Sequence, residues 1–180
     1  MTDVASRATK SEDRFVAYIA SLMAALGSRD PMEVLRETPG ELRRAIDGLS
    51  AAALSTPEAS GKWSILQVLQ HLSDSELVGG YRVRMVLAHD RPALAAYDQD
   101  LWADRLHYDQ ADAEMTLEDF TRLRRSNLRL LEQTSAADRE RVGLHSERGE
   151  ESIAAMIPNY AGHDLVHVRQ IARIRQAISA

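Results

Sequence analysis

Cysteine is missing from the chain altogether. That absence excludes a disulfide framework, a cysteine-ligated zinc ribbon, an iron–sulfur cluster and a cysteine nucleophile. Aromatic residues are few, at 5%, and their scarcity weighs against sheets, whose strands favour aromatic and β-branched side chains. Lysine is nearly absent: only Lys10 and Lys62 among 22 basic residues, a skew that reads as coding bias. No apolar run approaches the ~18 residues that span a bilayer. Met1 to Asp13 is polar and mixed in charge, without the basic-then-apolar order of a signal peptide. The expectation is a cytoplasmic protein with no membrane partner. An excess of positive charge is lacking too. The net charge is −5, from 27 acidic and 22 basic residues, which argues against nucleic acid as a partner.

What is present favours helices. Ala, Leu and Arg are frequent, and 44% of the residues are hydrophobic. At 180 residues one domain is expected, with residues 1–12 as a flexible N-terminus and 13–180 as the folded unit. Phe15, Tyr18, Ile19, Leu22, Met23 and Leu26 recur at helical spacing until Gly27. Asp30-Pro31 and Thr38-Pro39 each read as an N-cap followed by proline, predicting a short turn and then a helix over 39–48. Leu54 to Lys62 reads as a loop. Ser64 and Gln67 form a capping box with Trp63 as a staple onto Val68, opening a helix to about His89. Residues 90–115 read as irregular with a short helix near Leu101-Trp102. Thr116, with Asp119 three residues on, is expected to cap a helix to about Gln133. Residues 134–150 read as a connection, and a last helix runs from near Ser152 to about Ile178. Pro158 should kink that helix or displace its start. With no strand pattern in view, the expectation is an all-α four-helix bundle with short extra helices in its connections.

Six histidines are present, and three stand out. His163 and His167 are four apart, so one helix face carries both imidazoles. His71 lies seven residues into another long helix that can face it. Facing helices of a bundle commonly build metal sites in this way. Three imidazoles with an open position describe a catalytic metal site rather than a structural one. The apolar neighbours Leu69, Leu72, Leu165, Val166 and Ile171 point to burial, which a shared metal would offset. Asp74, Tyr160 and Gln170 fall on the histidine sides of their helices. Asp74 and Tyr160 are candidates for a supporting or acid–base role, with an exposed polar residue as the plain alternative for Asp74. Asp164 points away from the histidine face and is expected on the surface or in an interhelical bond. Arg82 and Arg84 fit a cleft mouth or a solvated face equally well.

Two stretches then carry a resemblance. Gly61-Lys62-Trp63-Ser64-Ile65, continuing through Leu69-Gln70-His71-Leu72 to Asp74, resembles the first motif of the DinB/YfiT-like superfamily. Gly162-His163-Asp164-Leu165-Val166-His167-Val168-Arg169-Gln170-Ile171 resembles the last. Tyr97-Asp98, Trp102-Ala103 and the Arg-Ser-Asn-Leu run at 125–128 are similar in kind and placement. The resemblance covers about residues 35–178. It implies a four-helix bundle in which His71, His163 and His167 hold one divalent metal. It also implies a metal-dependent enzyme acting on a small molecule, either a hydrolase or a transferase using a low-molecular-weight thiol, and a homodimer. With no cysteine in the chain, any reacting thiol belongs to a cosubstrate. Imidazole ligands suit zinc and nickel first, with iron, manganese or copper as further candidates. A non-catalytic bundle that binds a metal or ligand is the competing expectation.

Overall fold

The computed structural model describes residues 15–179; the N-terminus expected to be flexible lies outside them. Helix α1 occupies 15–26 and ends at Gly27. It is followed by α2 (Pro31–Ile46), α3 (Ala51–Ser55), α4 (Ile65–Ala88), β1 (Ala93–Leu94), α5 (Gln99–Arg105) and a 3-10 turn at Tyr108–Gln110. Then come α6 (Ala113–Glu132), α7 (Ala136–Arg139), β2 (Val142–His145), β3 (Gly149–Ser152) and α8 (Ile153–Ile178). The four-helix bundle closes as a ring in which α2 packs on α6 and α8, and α4 packs on the same two.

The expected break before Pro39 does not occur, and α2 runs straight through it. Asp30 caps the helix by accepting a hydrogen bond from the Glu33 N–H at 2.9 Å. Proline at 39 deprives the Leu35 carbonyl of its helical partner. Arg124 of α6 donates to that carbonyl at 2.9 Å. A tertiary contact therefore supplies the missing bond, and Thr38 is not a cap: its hydroxyl donates to Val34 O at 2.8 Å, fully buried. Uninterrupted, α2 takes the fourth place in the ring beside α4, α6 and α8. Helix α1 instead lies against the bundle. A Cβ at Gly162 would stand 2.5 Å from the Leu22 carbonyl oxygen, so only glycine allows this approach.

Helix α4 begins as its sequence predicts. Ser64 accepts from Gln67 N at 3.3 Å, and the Gln67 side chain accepts from Ser64 N at 2.9 Å. Helix α6 starts earlier than expected, because Asp112 accepts from Met115 N at 2.8 Å and so caps it. Thr116, inside the first turn, donates to Gln70 of α4 at 2.9 Å instead. Helix α8 keeps its start at Ile153 behind the Ser152 cap, with Pro158 inside the helix. Leu54 and Ser55, read as loop, close the short helix α3 that Ser50 caps.

The connections also hold a small sheet that the sequence pattern did not reveal. β1 pairs in parallel with β2 through Ala93↔Leu144 and Leu94↔His145. β2 pairs antiparallel with β3 from Val142↔Ser152 to His145↔Gly149. Arg141 fastens the sheet to the end of α4, donating to Val86 O at 2.9 Å and His89 O at 2.8 Å.

Two apolar clusters fill the bundle. One gathers Val34, Leu35, Val83, Val86, Leu131, Met156, Ile157 and Leu165. The other gathers Leu42, Ile46, Ile65, Leu69, Leu72, Leu117, Phe120, Ile171 and Ile174. On each helix the residues between the clusters are polar and mostly buried: Thr38 on α2, His71 and Glu76 on α4, Arg124 and Asn127 on α6, Asp164 on α8. The core is interrupted by a polar layer, and the site lies there. Among the described residues no helix is long and apolar enough to cross a membrane.

Candidate metal centre

Facing helices bring His71, His163 and His167 together. His71 sits on the bundle face of α4, two turns after its cap, and is buried. His163 and His167 share one face of α8. The Nε2 atom of His163 lies 3.1 Å from that of His71 and 3.1 Å from that of His167. One nitrogen from each ring falls within 4.8 Å of the other two. The rings pack edge to tilted, with His71 also 5.1 Å from the Trp63 ring.

Burial governs the charge of this cluster. It pushes the His71 pKa down to about 3, with His167 adding to the effect. His163 is held well below its ordinary value by burial, then by His167, His71 and Arg124. His167 is lowered by burial against the opposing pull of Gln170. All three rings are therefore neutral at physiological pH, each with one ring nitrogen free as a lone pair. Gln170 Oε1 lies 2.7 Å from His167 Nδ1. That oxygen accepts only, so Nδ1 carries the proton and Nε2 presents its lone pair to the cluster.

A cation fits this donor set. Metal–nitrogen bonds of about 2.0–2.1 Å at a tetrahedral angle put neighbouring nitrogens ~3.3 Å apart, and at a right angle ~2.9 Å. The observed 3.1 Å falls between. Protons alone cannot satisfy the cluster, since a single N–H on His163 Nε2 can point at only one of its two neighbours.

Beneath the histidines lies a closed ionic layer. Arg124 meets Glu76 at 2.7 Å and Asp164 at 2.7 Å, all three almost fully buried. Asn127 donates to Glu76 Oε1 at 2.7 Å. Asp164, expected on the surface or in an interhelical bond, makes the interhelical bond. The two carboxylates outweigh burial and raise the Arg124 pKa further. Burial raises the Asp164 pKa against the pull of Arg124. Gly80 makes the layer possible, for a Cβ there would stand 2.4 Å from the Asn127 side chain.

Above the histidines opens a cavity of about 210 Å³. His71 and His163 form part of its wall, with Tyr18 and Leu22 of α1, Ser75 and Arg82 of α4, and Tyr160 of α8. Tyr160 fits because Gly79 lacks a side chain; a Cβ there would lie 2.9 Å from the tyrosine oxygen. Burial raises the Tyr160 pKa although the Arg82 guanidinium pulls the other way, so the hydroxyl stays protonated. Asp74 is placed differently from its expected role. Its carboxylate accepts from the Tyr108 hydroxyl at 2.5 Å and from Gln70 at 3.4 Å. Among the described residues it meets none of the three imidazoles, and the His71 Nδ1 atom is left without a partner. Asp74 thus pins the turn after α5 to α4, while Gln170 is the residue bonded to a clustered histidine.

No sequence pattern marks His145, Arg148 and Glu151 as site residues. They reach the cavity from the small sheet and its turn, and without a recognisable strand pattern nothing placed them there. Of the two arginines in doubt, Arg82 lines the cavity and Arg84 lies outside it, bonded to Asn127 at 2.6 Å.

The fold and the site define a four-helix bundle with a histidine triad, two of whose rings line a small cavity. The family model for the DinB superfamily matches residues 35–171, and the chain belongs to that superfamily. Among curated relatives, a Bacillus mycoides protein named "Putative metal-dependent hydrolase" is 29% identical over 82% of this chain and 85% of its own length. A Bacillus cereus relative of the same name is 28% identical with the same coverage. Among solved structures, YfiT from Bacillus subtilis, titled "a probable metal-dependent hydrolase with an unusual four-helix bundle topology", superposes with a TM-score of 0.73. The match covers 79% of this chain and 84% of that one at 24% identity, a likeness of fold.

Proposed function

We propose that His71, His163 and His167 hold one divalent metal and that the cavity above them is the active site of a metal-dependent hydrolase for a small substrate. The observation that carries this reading is the convergence of three neutral imidazole nitrogens, with the His71 and His163 rings lining a cavity. The names of the relatives agree with it. When bound, the metal would polarise a substrate oxygen and lower the pKa of a water towards ~7. The chain's own groups supply the rest. Gln170 fixes the His167 ring by accepting a hydrogen bond from its Nδ1–H. Tyr160, kept protonated by burial, offers a hydrogen bond from the wall to an oxygen that gains negative charge. Ser75 and Tyr97, 2.9 Å apart, close the side wall, and the Tyr97 ring stacks on Trp102 at 4.4 Å. A thiol cosubstrate in place of water is the second form of the same chemistry, and since the chain has no cysteine it must come from outside.

Activity profiling with ester, amide and thiol-transfer substrates tests the reading. Activity lost on chelation, restored by zinc or nickel and absent in His71→Ala and His163→Ala supports it. Turnover that survives both chelation and the His71→Ala/His167→Ala double substitution refutes it.

A further inference from the structure

One wall of the cavity carries more hydrogen-bond donors than the protein uses. Arg82 is only 5% exposed. Its Nη2 donates to Ala95 O at 2.7 Å, while its Nε has no partner. Among the described residues no carboxylate lies within ion-pair distance of it. Arg148 donates from Nη2 to Glu151 at 2.6 Å, and its Nε is also unpartnered. His145 is buried at 4% exposure. Its Nδ1 accepts from the Glu147 N–H at 3.2 Å, which puts the ring proton on Nε2, and that atom too lacks a partner. Burial and the two arginines keep this ring neutral. Three side chains that line one cavity wall thus carry buried donors without acceptors among the described residues, which are costly to leave unmet.

The charges facing the cavity leave a surplus. Arg148 is neutralised by Glu151, and Glu147 stands exposed at the rim. Arg82 remains a buried cation with no counter-ion among the described residues. A free oxyanion would meet both needs, since carboxylates and phosphates accept several hydrogen bonds from guanidinium groups.

We infer that Arg82, Arg148 and His145 form an anion subsite, and that the substrate is a small molecule bearing a carboxylate or phosphate on the side facing the sheet, with its reacting group towards the histidines. At about 210 Å³ the cavity lies below the ~300–1,000 Å³ of drug-sized sites, so the anionic group and the reacting group are only a few bonds apart. This inference rests on the reading of the cavity as the active site, but its test does not need turnover.

The test uses the full chain, ¹⁵N-labelled, with and without added zinc. Butyrate, its neutral isostere butyramide, and inorganic phosphate are titrated while the arginine Nε–H resonances are followed. Butyrate is expected to bind about tenfold more tightly than butyramide or better, shifting the Arg82 and Arg148 signals. Arg148→Gln, at a partly exposed position that should fold, is expected to remove most of that preference; Arg82→Gln should remove more. A tighter phosphate site assigns the anion as tetrahedral, and a tighter butyrate site assigns it as planar. Equal binding of butyrate and butyramide, or an unchanged preference in Arg148→Gln, overturns the inference. If the preference persists in His167→Ala or without zinc, the subsite stands independently of the metal reading. If zinc binds but the preference is absent, only the subsite fails.

Discussion

Arg124 and Arg82 are buried to nearly the same degree, at 3% and 5% exposure, yet their surroundings differ in kind. Arg124 is held by two carboxylates, Glu76 and Asp164, by the Leu35 carbonyl and by the Phe120 ring, although its Nε, like that of Arg82, has no partner among the described residues. Arg82 donates to one backbone carbonyl, lies beside the Tyr160 hydroxyl, has no carboxylate partner among the described residues and faces a cavity. A buried charge whose partners are all internal holds the fold together. One whose partners are missing is held ready for something from outside. The histidines lie between the two, on a floor built by the first and beneath a wall built by the second.

The largest effect should come from breaking the closed layer. Arg124→Met strands two buried carboxylates and is expected to cost about 3–5 kcal/mol, read from the urea midpoint. Arg82→Met removes one hydrogen bond and is expected to cost about 1 kcal/mol. An equal or inverted pair of values would break the comparison.

Acid should act through the neutral histidines. In the unfolded chain they take up protons near pH 6.5, whereas the folded pKa is about 3 for His71 and about 4 for His145. The unfolded state therefore binds more protons below pH 6.5, and stability falls as pH falls. Each such histidine costs up to about 1.4 kcal/mol per pH unit below 6.5. Thermal melts of chelator-treated protein from pH 7.5 to 5 should show a steadily falling midpoint. A midpoint flat across that range would contradict the neutral cluster.

Gly80→Ala sharpens the contrast on the closed side. Its Cβ must displace Asn127 from Glu76, at an expected cost of about 1–3 kcal/mol, measured by denaturant unfolding. The smallest effect is expected from Gln170→Ala, which frees the His167 ring while leaving the fold intact. Zinc affinity should drop roughly tenfold or somewhat more with a stability change under ~1 kcal/mol for the metal-free protein. An unaltered affinity would show that Gln170 does not orient His167.

How much of this was legible in the sequence follows from the range of the interactions. The capping box at Ser64, the four-residue spacing of His163 and His167, and the position of His71 are local, and the structure brings these three residues together as the helices require. The continuity of α2 was not legible, because the partner for the Leu35 carbonyl comes from Arg124, 89 residues away. Nor was the start of α6, where Asp112 and Thr116 both suit a cap and only the contact of Thr116 with Gln70 decides. The sheet was hidden for a similar reason. Its strands hold few β-branched residues and are defined by pairing with each other and by Arg141. The cavity wall they carry was hidden with them.

The central claim is that the three imidazoles hold a metal, and equilibrium dialysis against zinc with elemental analysis tests it most directly. One zinc per chain in the wild type, falling to a trace in His163→Ala, is the predicted result. A chelator-treated and reconstituted wild type that retains no more zinc than His163→Ala would contradict it.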